Sequence, residues 1–214
     1  MVKHEGAVTI AWLIDDDEGY RGATSWLLNT VGINVKAYAS ADAFLAEFDP
    51  YVAGCIITDL RMPGIGGLSL QSRIREASAM PILFVSGHGE VGSAVAAMKG
   101  GAVDFLEKPV DENLFIERVQ AAIQRDIDRR AVDLEADAWE ARLATLTPRE
   151  KEVMAWVLRG LAGKQIAHRL GISVKTVEVH KTNILRKLEA GSWLAVSGDL
   201  PEGLRESIKD AVKV

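Results

Sequence analysis

Five short apolar segments recur along the first half of the chain, and a segment of helical periodicity separates each one from the next. The apolar segments are residues 9–14, 33–38, 54–58, 82–86 and 103–107, and the helical segments are residues 18–30, 41–48, 68–76 and 91–99. Strands that alternate with helices in this way form a parallel sheet with helices on both faces. The pattern therefore predicts a doubly wound α/β domain, in which ligands bind at the carboxyl ends of the strands.

The composition favours folded cores and a cytoplasmic protein. The length of 214 residues suits one large or two small domains, and the hydrophobic fraction of 48% supports folded cores. No apolar run approaches the roughly 20 residues of a membrane span, and the opening "MVKHEGAVTI" has no secretion signal. The single cysteine, Cys55, excludes an internal disulfide and lies in an apolar segment, so we expect a packed thiol.

From residue 112 onward the pattern becomes helical. The apolar positions at spacings of three and four are Ile116, Val119, Ile123, Ile127, Ala131, Leu134, Ala138 and Ala141. They predict one helix that runs to about residue 142. The stretch "RDIDRRAVDLEADAWEAR" is highly charged, so we interpret residues 126–144 as a semi-rigid helical linker with a solvated outer face. Pairing of this helix in a dimer is the alternative.

A second unit begins at "TLTPRE". Thr147 and Glu150 form the pattern of a capping box, with proline at the first helical position, so a helix is predicted over residues 148–158. A short helix follows and stops at Gly171, and a longer basic helix starts with Ser173 as its cap. A helix, a short glycine turn and a longer basic helix are typical of the helix-turn-helix.

Charge is distributed unevenly between these two parts. The net charge of −5 combines residues 1–124, with 9 Lys and Arg against 16 Asp and Glu, and residues 145–190, with 9 against 4. A basic module on an acidic protein favours a polyanionic partner such as double-stranded DNA. A solvated helix surface would explain the basic charge equally well on its own.

Aspartates directly follow two of the predicted strands. Asp15, Asp16 and Asp17 come after the first strand, and Asp59 comes after the third, before "LRMPGIGG". If those strands are neighbours, Asp15, Asp16 and Asp59 converge at one edge of the sheet, where carboxylates raise one another's pKa. A hard dication relieves that repulsion, and carboxylate and water ligands suit Mg²⁺.

The fourth and fifth predicted strands bring a hydroxyl and an ammonium group to the same edge. Ser86 ends the fourth strand, and Lys108 follows the fifth in "EKP". Together with the aspartates they form a pocket for a phosphoryl group on Asp59, which would be the nucleophile. A turn or a capping loop explains each residue singly, but their occurrence at four strand ends favours the pocket.

Four segments in this order resemble the receiver domain of two-component response regulators: "LIDDDEGYR", "ITDLRMPG", "FVSGHGE" and "GAVDFLEKP". The resemblance covers roughly residues 8–125 and implies a flavodoxin-like (βα)5 doubly wound parallel fold. It implies that Asp59 is the phosphoacceptor and that Asp15, Asp16 and Asp59 hold Mg²⁺. Counting back from Arg21 selects Asp15 and Asp16, rather than Asp17, as the acidic pair.

The same resemblance implies roles at the last two strand ends. Ser86 and Lys108 would contact the phosphoryl group, Phe105 would be the aromatic switch residue, and the Lys108–Pro109 peptide bond would be cis. A sensor histidine kinase would be the phosphoryl donor. The protein would then be a phosphoacceptor with at most autophosphorylation and autodephosphorylation activity, and not an enzyme.

The segment "LTPREKEVMAWVLRGLAGKQIAHRLGISVKTVEVHKTNILRKL" resembles the LuxR/FixJ-type DNA-binding domain. Its apolar residues predict a three-helix core, and its third helix presents polar and cationic residues that suit the major groove. The DNA-contact candidates are Lys164, Lys175, Thr176, Glu178, Val179, Lys181, Thr182, Asn183 and Arg186. We expect His180 to be a core-edge imidazole rather than a base-reading residue.

The predicted domains are a receiver at 1–125, a linker at 126–144 and a DNA-binding domain at 145–214. The tail departs from the family, because glycines and a proline interrupt residues 191–214 and a final helix is expected only after Asp199. The resemblance thus implies DNA binding but not the usual dimer contact. A homodimer is expected at least on phosphorylation, and RNA polymerase is a further partner to consider.

Two other functions follow from the same residues. An aspartyl-phosphate hydrolase would use Asp59 as its nucleophile, but such enzymes place an acid two residues further on, where this chain has Arg61, and no substrate-cap insertion is evident. A regulator that works without phosphorylation would not need the full set of pocket residues. We therefore favour a DNA-binding transcriptional regulator that is switched by phosphorylation.

Overall fold

The computed structural model describes residues 8–87 and 91–212 of the chain. Residues 88–90, which end the segment "FVSGHGE", lie outside the described residues, as does most of the N-terminal stretch that was searched for a secretion signal. The chain divides into two compact units between Ala131 and Val132. This division falls inside the predicted linker 126–144, and the three-part domain scheme stays a prediction.

The first unit is built on a five-stranded parallel sheet in the order β2-β1-β3-β4-β5. The strands are β1 (Ile10–Ile14), β2 (Val35–Tyr38), β3 (Gly54–Thr58), β4 (Ile82–Ser86) and β5 (Asp104–Glu107). The helices that follow them are α1 (Glu18–Thr30), α2 (Ala41–Glu47), α3 (Gly67–Ala77), α4 (Val91–Lys99) and α5 (Glu112–Ala144). The predicted flavodoxin-like fold is confirmed, with the reversal of strand order between β1 and β3.

Apolar clusters cover both faces of the sheet. All five residues of β3 and all five of β4 are buried, as expected for central strands of a parallel sheet. Trp12 and Phe44 pack on one face, and Leu13 and Val119 pack on the other. Cys55 is fully buried, as predicted, and burial raises the pKa of its thiol.

The register of β1 and β3 fixes what meets at the carboxyl edge. Ile14 is paired with Thr58, so the next residues, Asp15 and Asp59, leave the sheet side by side. At the other end Ile10 is paired with Gly54, where an added Cβ would lie 1.9 Å from the Ile10 carbonyl oxygen. Glycine is thus the residue that lets the two strands approach at their amino ends.

The second unit consists of helices. After the end of α5 come α6 (Pro148–Leu158), α7 (Gly163–Leu170), α8 (Val174–Lys187), α9 (Trp193–Asp199) and α10 (Glu202–Asp210). The predicted capping box is present, since Thr147 and Glu150 hydrogen-bond to each other's backbone amides at the start of α6. Gly171, at φ 63°, ends α7 in the left-handed region, and Ser173 caps α8.

The core of the second unit is formed by apolar residues of α6, α7 and α8, as the predicted three-helix core requires. Val153, Ile166, Val177 and Ile184 are completely buried. Trp139, near the end of α5, is also buried in this cluster, although the charged segment around it was predicted to be a solvated linker. A single apolar face is therefore enough to bring that part of α5 into the second unit.

The tail contains one helix that sequence analysis missed. The predicted final helix is present as α10, but α9 forms before it, with Gly198 inside. Ser192 caps α9 by accepting a hydrogen bond from the Ala195 amide, and Val196 is fully buried. Burial of Val196 outweighs the roughly 1 kcal/mol that a glycine costs in a helix.

Across residues 8–87 and 91–212, every helix is too short or too polar to cross a lipid bilayer.

Candidate functional site

Three carboxylates meet at the carboxyl edge of the sheet, between β1 and β3. Asp15, Asp16 and Asp59 each offer one oxygen, and these three oxygens lie within 4.8 Å of one another. Asp15 is almost fully buried, whereas Asp16 is exposed and Asp59 is half-buried. The register of β1 and β3 produces this convergence, because both strands end at the same level.

Lys108 reaches the same place from the end of β5. Its Nζ lies 2.6 Å from Oδ2 of Asp15 and 3.2 Å from Oδ2 of Asp59. The Lys108 amide donates to the carbonyl of Ser86 at 3.0 Å, and the peptide bond that links Lys108 to Pro109 is cis. The residues placed at four strand ends by sequence analysis thus lie at one edge, with three of them in direct contact.

The charges in this pocket perturb one another. Burial raises the pKa of Asp15, and the hydrogen bonds from Lys108 and the Asp17 amide only partly offset that effect. Burial alone would lower the pKa of Lys108, but the hydrogen bond to Asp15 and the charges of Asp15 and Asp59 raise it overall. Lys108 therefore remains a cation that is held between two carboxylates.

Asp59 is oriented by the loop that follows β3. Its Oδ1 accepts hydrogen bonds from the backbone amides of Leu60 and Arg61, and its own amide donates to the Ile14 carbonyl at 2.9 Å. A Cβ on Gly67, at the start of α3, would lie 2.3 Å from the Asp59 carbonyl oxygen. Glycine at this position thus permits the close approach of α3 to the loop.

Three residues of the first loop and α1 complete the surroundings, and sequence analysis gave none of them a role in the pocket. The Tyr20 ring lies over Lys108, with 3.8 Å between its centroid and Nζ, and burial raises the pKa of Tyr20. Arg21, which was used only as a counting reference, donates to the Asp15 carbonyl at 2.8 Å. Asp17 caps α1 by accepting from the Tyr20 amide, which fits its omission from the predicted acidic pair.

Ser86 and Phe105 lie behind the carboxylates. Ser86 is completely buried at the end of β4. Phe105 is half-buried and stacks on Phe84, with 6.1 Å between ring centroids. The aromatic ring therefore packs with the core beside the pocket, and its proposed role as a switch depends on movement from this position.

The carboxylate cluster suits a divalent cation. Asp15, Asp16 and Asp59 provide hard oxygen donors, and Asp16 is exposed, which leaves room for water ligands. Mg²⁺ binds through a few carboxylates and keeps several waters. The donor set therefore fits Mg²⁺, while Lys108 supplies the remaining positive charge.

The second unit presents one helix, α8, with an exposed polar face. Among the DNA-contact candidates, Lys164, Lys175, Thr176, Glu178, Val179, Thr182 and Arg186 are exposed, and Lys181 and Asn183 are half-buried. Lys181 donates to Glu178 at 3.1 Å, so these two side chains are paired across one turn. His180 is half-buried with its Nδ1 shielded from solvent, which fits a core-edge imidazole.

The C-terminal end of α8 is attached to the start of α6. Lys187 Nζ lies 2.6 Å from Glu150 Oε2, and the same oxygen accepts hydrogen bonds from the amide and hydroxyl of Thr147. Burial alone would raise the pKa of Glu150, but the hydrogen bonds from Lys187 and Thr147 lower it. The capping box that starts α6 thus also fixes the orientation of α8.

A parallel sheet with this pocket and a helix-turn-helix unit define a signalling protein with a nucleic-acid output. Residues 11–120 match the family described as response regulator receiver domain, and residues 144–196 match the bacterial regulatory proteins of the luxR family. The chain therefore belongs to the two-component response regulators with a LuxR-family output domain. It is a DNA-binding transcriptional regulator that is controlled through a phosphoacceptor domain and a histidine kinase.

Curated relatives have the same organisation over nearly their whole length. The transcriptional regulatory protein FixJ of Azorhizobium caulinodans is 41% identical over 92% of this chain and 90% of its own length. The response regulator protein TodT of Pseudomonas putida is 37% identical over 86% of this chain and 82% of its own. Both are similar to this chain in the two domains together.

Solved structures agree with this assignment. The response regulator StyR is 35% identical, with a TM-score of 0.82 over 90% of this chain and 98% of its own. Full-length FixJ from B. japonicum is 34% identical, with a TM-score of 0.57 over 97% of this chain and 100% of its own.

Proposed function

We propose that Asp59 is the residue that accepts the phosphoryl group, with Mg²⁺ held by Asp15, Asp16 and Asp59. The observation that supports this proposal is the contact of Lys108 Nζ with Asp59 at 3.2 Å and with Asp15 at 2.6 Å. A carboxylate beside a fixed cation and two further carboxylates is the arrangement that phosphoryl transfer to aspartate needs.

The transfer step follows from these contacts. An oxygen of Asp59 attacks the phosphorus of a phosphohistidine, the P–O bond forms, and the P–N bond breaks with the electron pair leaving on the histidine nitrogen. Lys108 and the hydroxyl of Ser86 hold the phosphoryl oxygens as negative charge develops on them. Mg²⁺, when bound, supplies further neutralisation of that charge. Beyond this transfer, the proposal includes at most autophosphorylation and autodephosphorylation.

Phosphorylation acts as a switch through the residues behind Asp59. The phosphoryl group adds strong negative charge and acceptor oxygens, Ser86 moves toward it, and Phe105 turns inward from its stacked position on Phe84. The surface formed by α4 and α5 then changes shape. This change promotes a homodimer and DNA binding, with RNA polymerase as a further partner at the promoter.

Solution mass tests the pocket and the switch in one experiment. Beryllofluoride with Mg²⁺ imitates the phosphoryl group, so we expect the molecular mass of the full chain to double when both are added. The measurement is light scattering after size-exclusion chromatography. The Asp59→Asn variant is the control and should keep its original mass; an unchanged mass in the wild type contradicts the switch.

DNA binding is proposed to use α8 as the helix that enters the major groove. Lys164, Lys175, Lys181 and Arg186 contact phosphates, and Glu178 and Val179 lie nearest the bases. Exposure of Lys175, Glu178 and Val179 near the start of α8 supports this arrangement. Asn183, which is half-buried, has a more restricted reach than the exposed candidates.

A phosphate contact predicts a particular salt dependence. Lys175→Ala should weaken binding to specific and random DNA by a similar factor, and more strongly at low salt. The slope of log K against log salt should become shallower by about one, because one phosphate contact is lost. The measurement is fluorescence anisotropy across a salt series. Lys36→Ala, in the first unit, makes the same charge change and should alter neither the DNA affinity nor its salt dependence.

A further inference from the structure

A cavity lined by arginines lies at the opposite edge of the sheet from Asp59. This cavity, of about 370 Å³, opens beside the amino ends of β4 and β5. Its lining residues are Arg75, Ala79, Pro81, Gly101, Val103, Arg125 and Arg129. Three guanidinium groups and an apolar wall thus surround one space, and no carboxylate is among these lining residues in the described part of the chain.

Arg75 is held rigidly at this cavity. It donates to the carbonyl of Met80 at 3.1 Å and to the carbonyl of Gly101. These two hydrogen bonds connect the end of α3 to the segments that lead into β4 and β5. Gly101 has a φ of 87°, and an added Cβ would lie 3.4 Å from Arg75 Nε. The guanidinium is therefore placed before any ligand arrives, which reduces the entropy cost of binding.

The other two guanidinium groups come from α5. Arg125 and Arg129 are four residues apart and lie on one face of the helix. Arg129 is bound to the buried carboxylate of Asp126, which also accepts a hydrogen bond from Arg130 at 2.7 Å. Asp126 thus accepts from both Arg129 and Arg130, while Arg125 is exposed at the cavity mouth.

Positive charge accumulates at this cavity in an otherwise acidic domain. Burial lowers the pKa of Arg75, and the charges of Arg125 and Arg129 lower it further. Residues 1–131, which form the first unit, carry 12 Lys and Arg against 18 Asp and Glu, so a cavity lined by three arginines stands out there. An anion that bound between the guanidinium groups would relieve their repulsion.

We propose that this cavity binds a small organic phosphate. Arginine N–H groups form charge-assisted hydrogen bonds with phosphate, and Arg125 offers an exposed guanidinium for them. The side chains of Ala79, Pro81 and Val103 contact the carbon part of the ligand. A volume of about 370 Å³ is near the lower end of the 300–1,000 Å³ typical of small-ligand sites. The site is separate from the phosphoacceptor pocket and does not depend on Asp59.

Phenyl phosphate is a suitable probe, because it combines a dianion with a compact apolar group. Isothermal titration of the full chain, in EDTA and at constant ionic strength, should give saturable binding at one site. Inorganic phosphate and phenol, titrated separately, should bind more weakly, because each has only half of the contacts. The Asp59→Asn variant should bind phenyl phosphate as the wild type does. A failure of the phosphoacceptor proposal can therefore be told apart from a failure of the cavity proposal.

Arg125→Ala is the decisive variant, since Arg125 is exposed and its loss does not remove the contacts that Arg75 makes with the backbone. We expect it to weaken binding of phenyl phosphate about tenfold, which corresponds to one charge-assisted contact. Arg73→Ala, on the other side of α3, is the matched control and should change the affinity less than about twofold.

Three results would overturn the proposal. Titration without saturation would mean that the cavity has no affinity for the probe. Equal weakening by Arg125→Ala and Arg73→Ala would mean that only general charge is involved. Weakening by Lys175→Ala instead of Arg125→Ala would place the phosphate on the DNA-binding unit.

Discussion

Replacing Asp59 by asparagine should abolish phosphorylation of the full chain. The amide is nearly the same size as the carboxylate and still accepts hydrogen bonds from the amides of Leu60 and Arg61, but it is not a nucleophile. We expect no phosphoprotein above background after incubation with Mg²⁺ and either a histidine kinase or a small phosphodonor. Intact-protein mass spectrometry measures the added phosphoryl group directly.

Two comparisons make this experiment decisive. Asp49→Asn changes an exposed carboxylate on the same unit and should be phosphorylated as the wild type is. The phosphoryl group on the wild type should be released by hydroxylamine, which is the behaviour of an acyl phosphate. Phosphorylation that persists in Asp59→Asn would show that the acceptor is a different residue.

Removing the carboxylate of Asp126 should destabilise the first unit by about 3–5 kcal/mol. Asp126 is fully buried and accepts a hydrogen bond from the Gly54 amide at 3.0 Å, as well as from Arg129 and Arg130. The substitution Asp126→Ala leaves the buried Gly54 amide without its acceptor and takes the shared carboxylate away from two cations. The Gly54 amide then carries the cost of an unsatisfied buried polar group, and Arg129 and Arg130 lose their buried counter-charge.

Hydrogen–deuterium exchange in a urea series measures this effect on the strands themselves. Peptides from β1 and β3 should exchange through unfolding at lower urea in Asp126→Ala than in the wild type. Asp128→Ala removes an exposed carboxylate that pairs only with Gln124 among the contacts described, and it should cost less than about 0.5 kcal/mol. Equal stability of the two variants would mean that the Asp126 contacts contribute little.

The network around Asp126 also explains part of what sequence analysis missed. The charges of "RDIDRRAVDLEADAWEAR" predict a solvated helix, yet Asp126 is buried and Arg130 donates to the carbonyls of Pro50, Tyr51 and Val52. Which charged residues of a helix are buried depends on the segments that pack against it. Periodicity along one helix contains no information about those neighbours.

The elements themselves were easier to predict. The apolar segments 54–58 and 82–86 coincide with β3 and β4, because a central strand of a parallel sheet is apolar on both faces. In contrast, α9 was missed because Gly198 argued against a helix while the burial of Val196 favoured it. Packing of Val196 in the core outweighed the local preference of glycine against a helix.

The pocket was predictable to the extent that it depends on strand ends. Asp15 and Asp59 follow apolar segments, and parallel strands bring their carboxyl ends to one edge. The position of Tyr20 over Lys108 was not predictable, because it depends on how α1 lies against the loop after β5. A cation–π contact between distant residues leaves no pattern in the sequence.

Glycine at position 54 has a consequence for residues at the opposite end of its strand. Any side chain there would strike the Ile10 carbonyl and force β1 and β3 apart at their amino ends. Both strands are only five residues long, so that wedge would tilt one against the other along their entire length. The distance between the carboxylates that follow Ile14 and Thr58 therefore depends on the absence of a side chain at the amino end of β3.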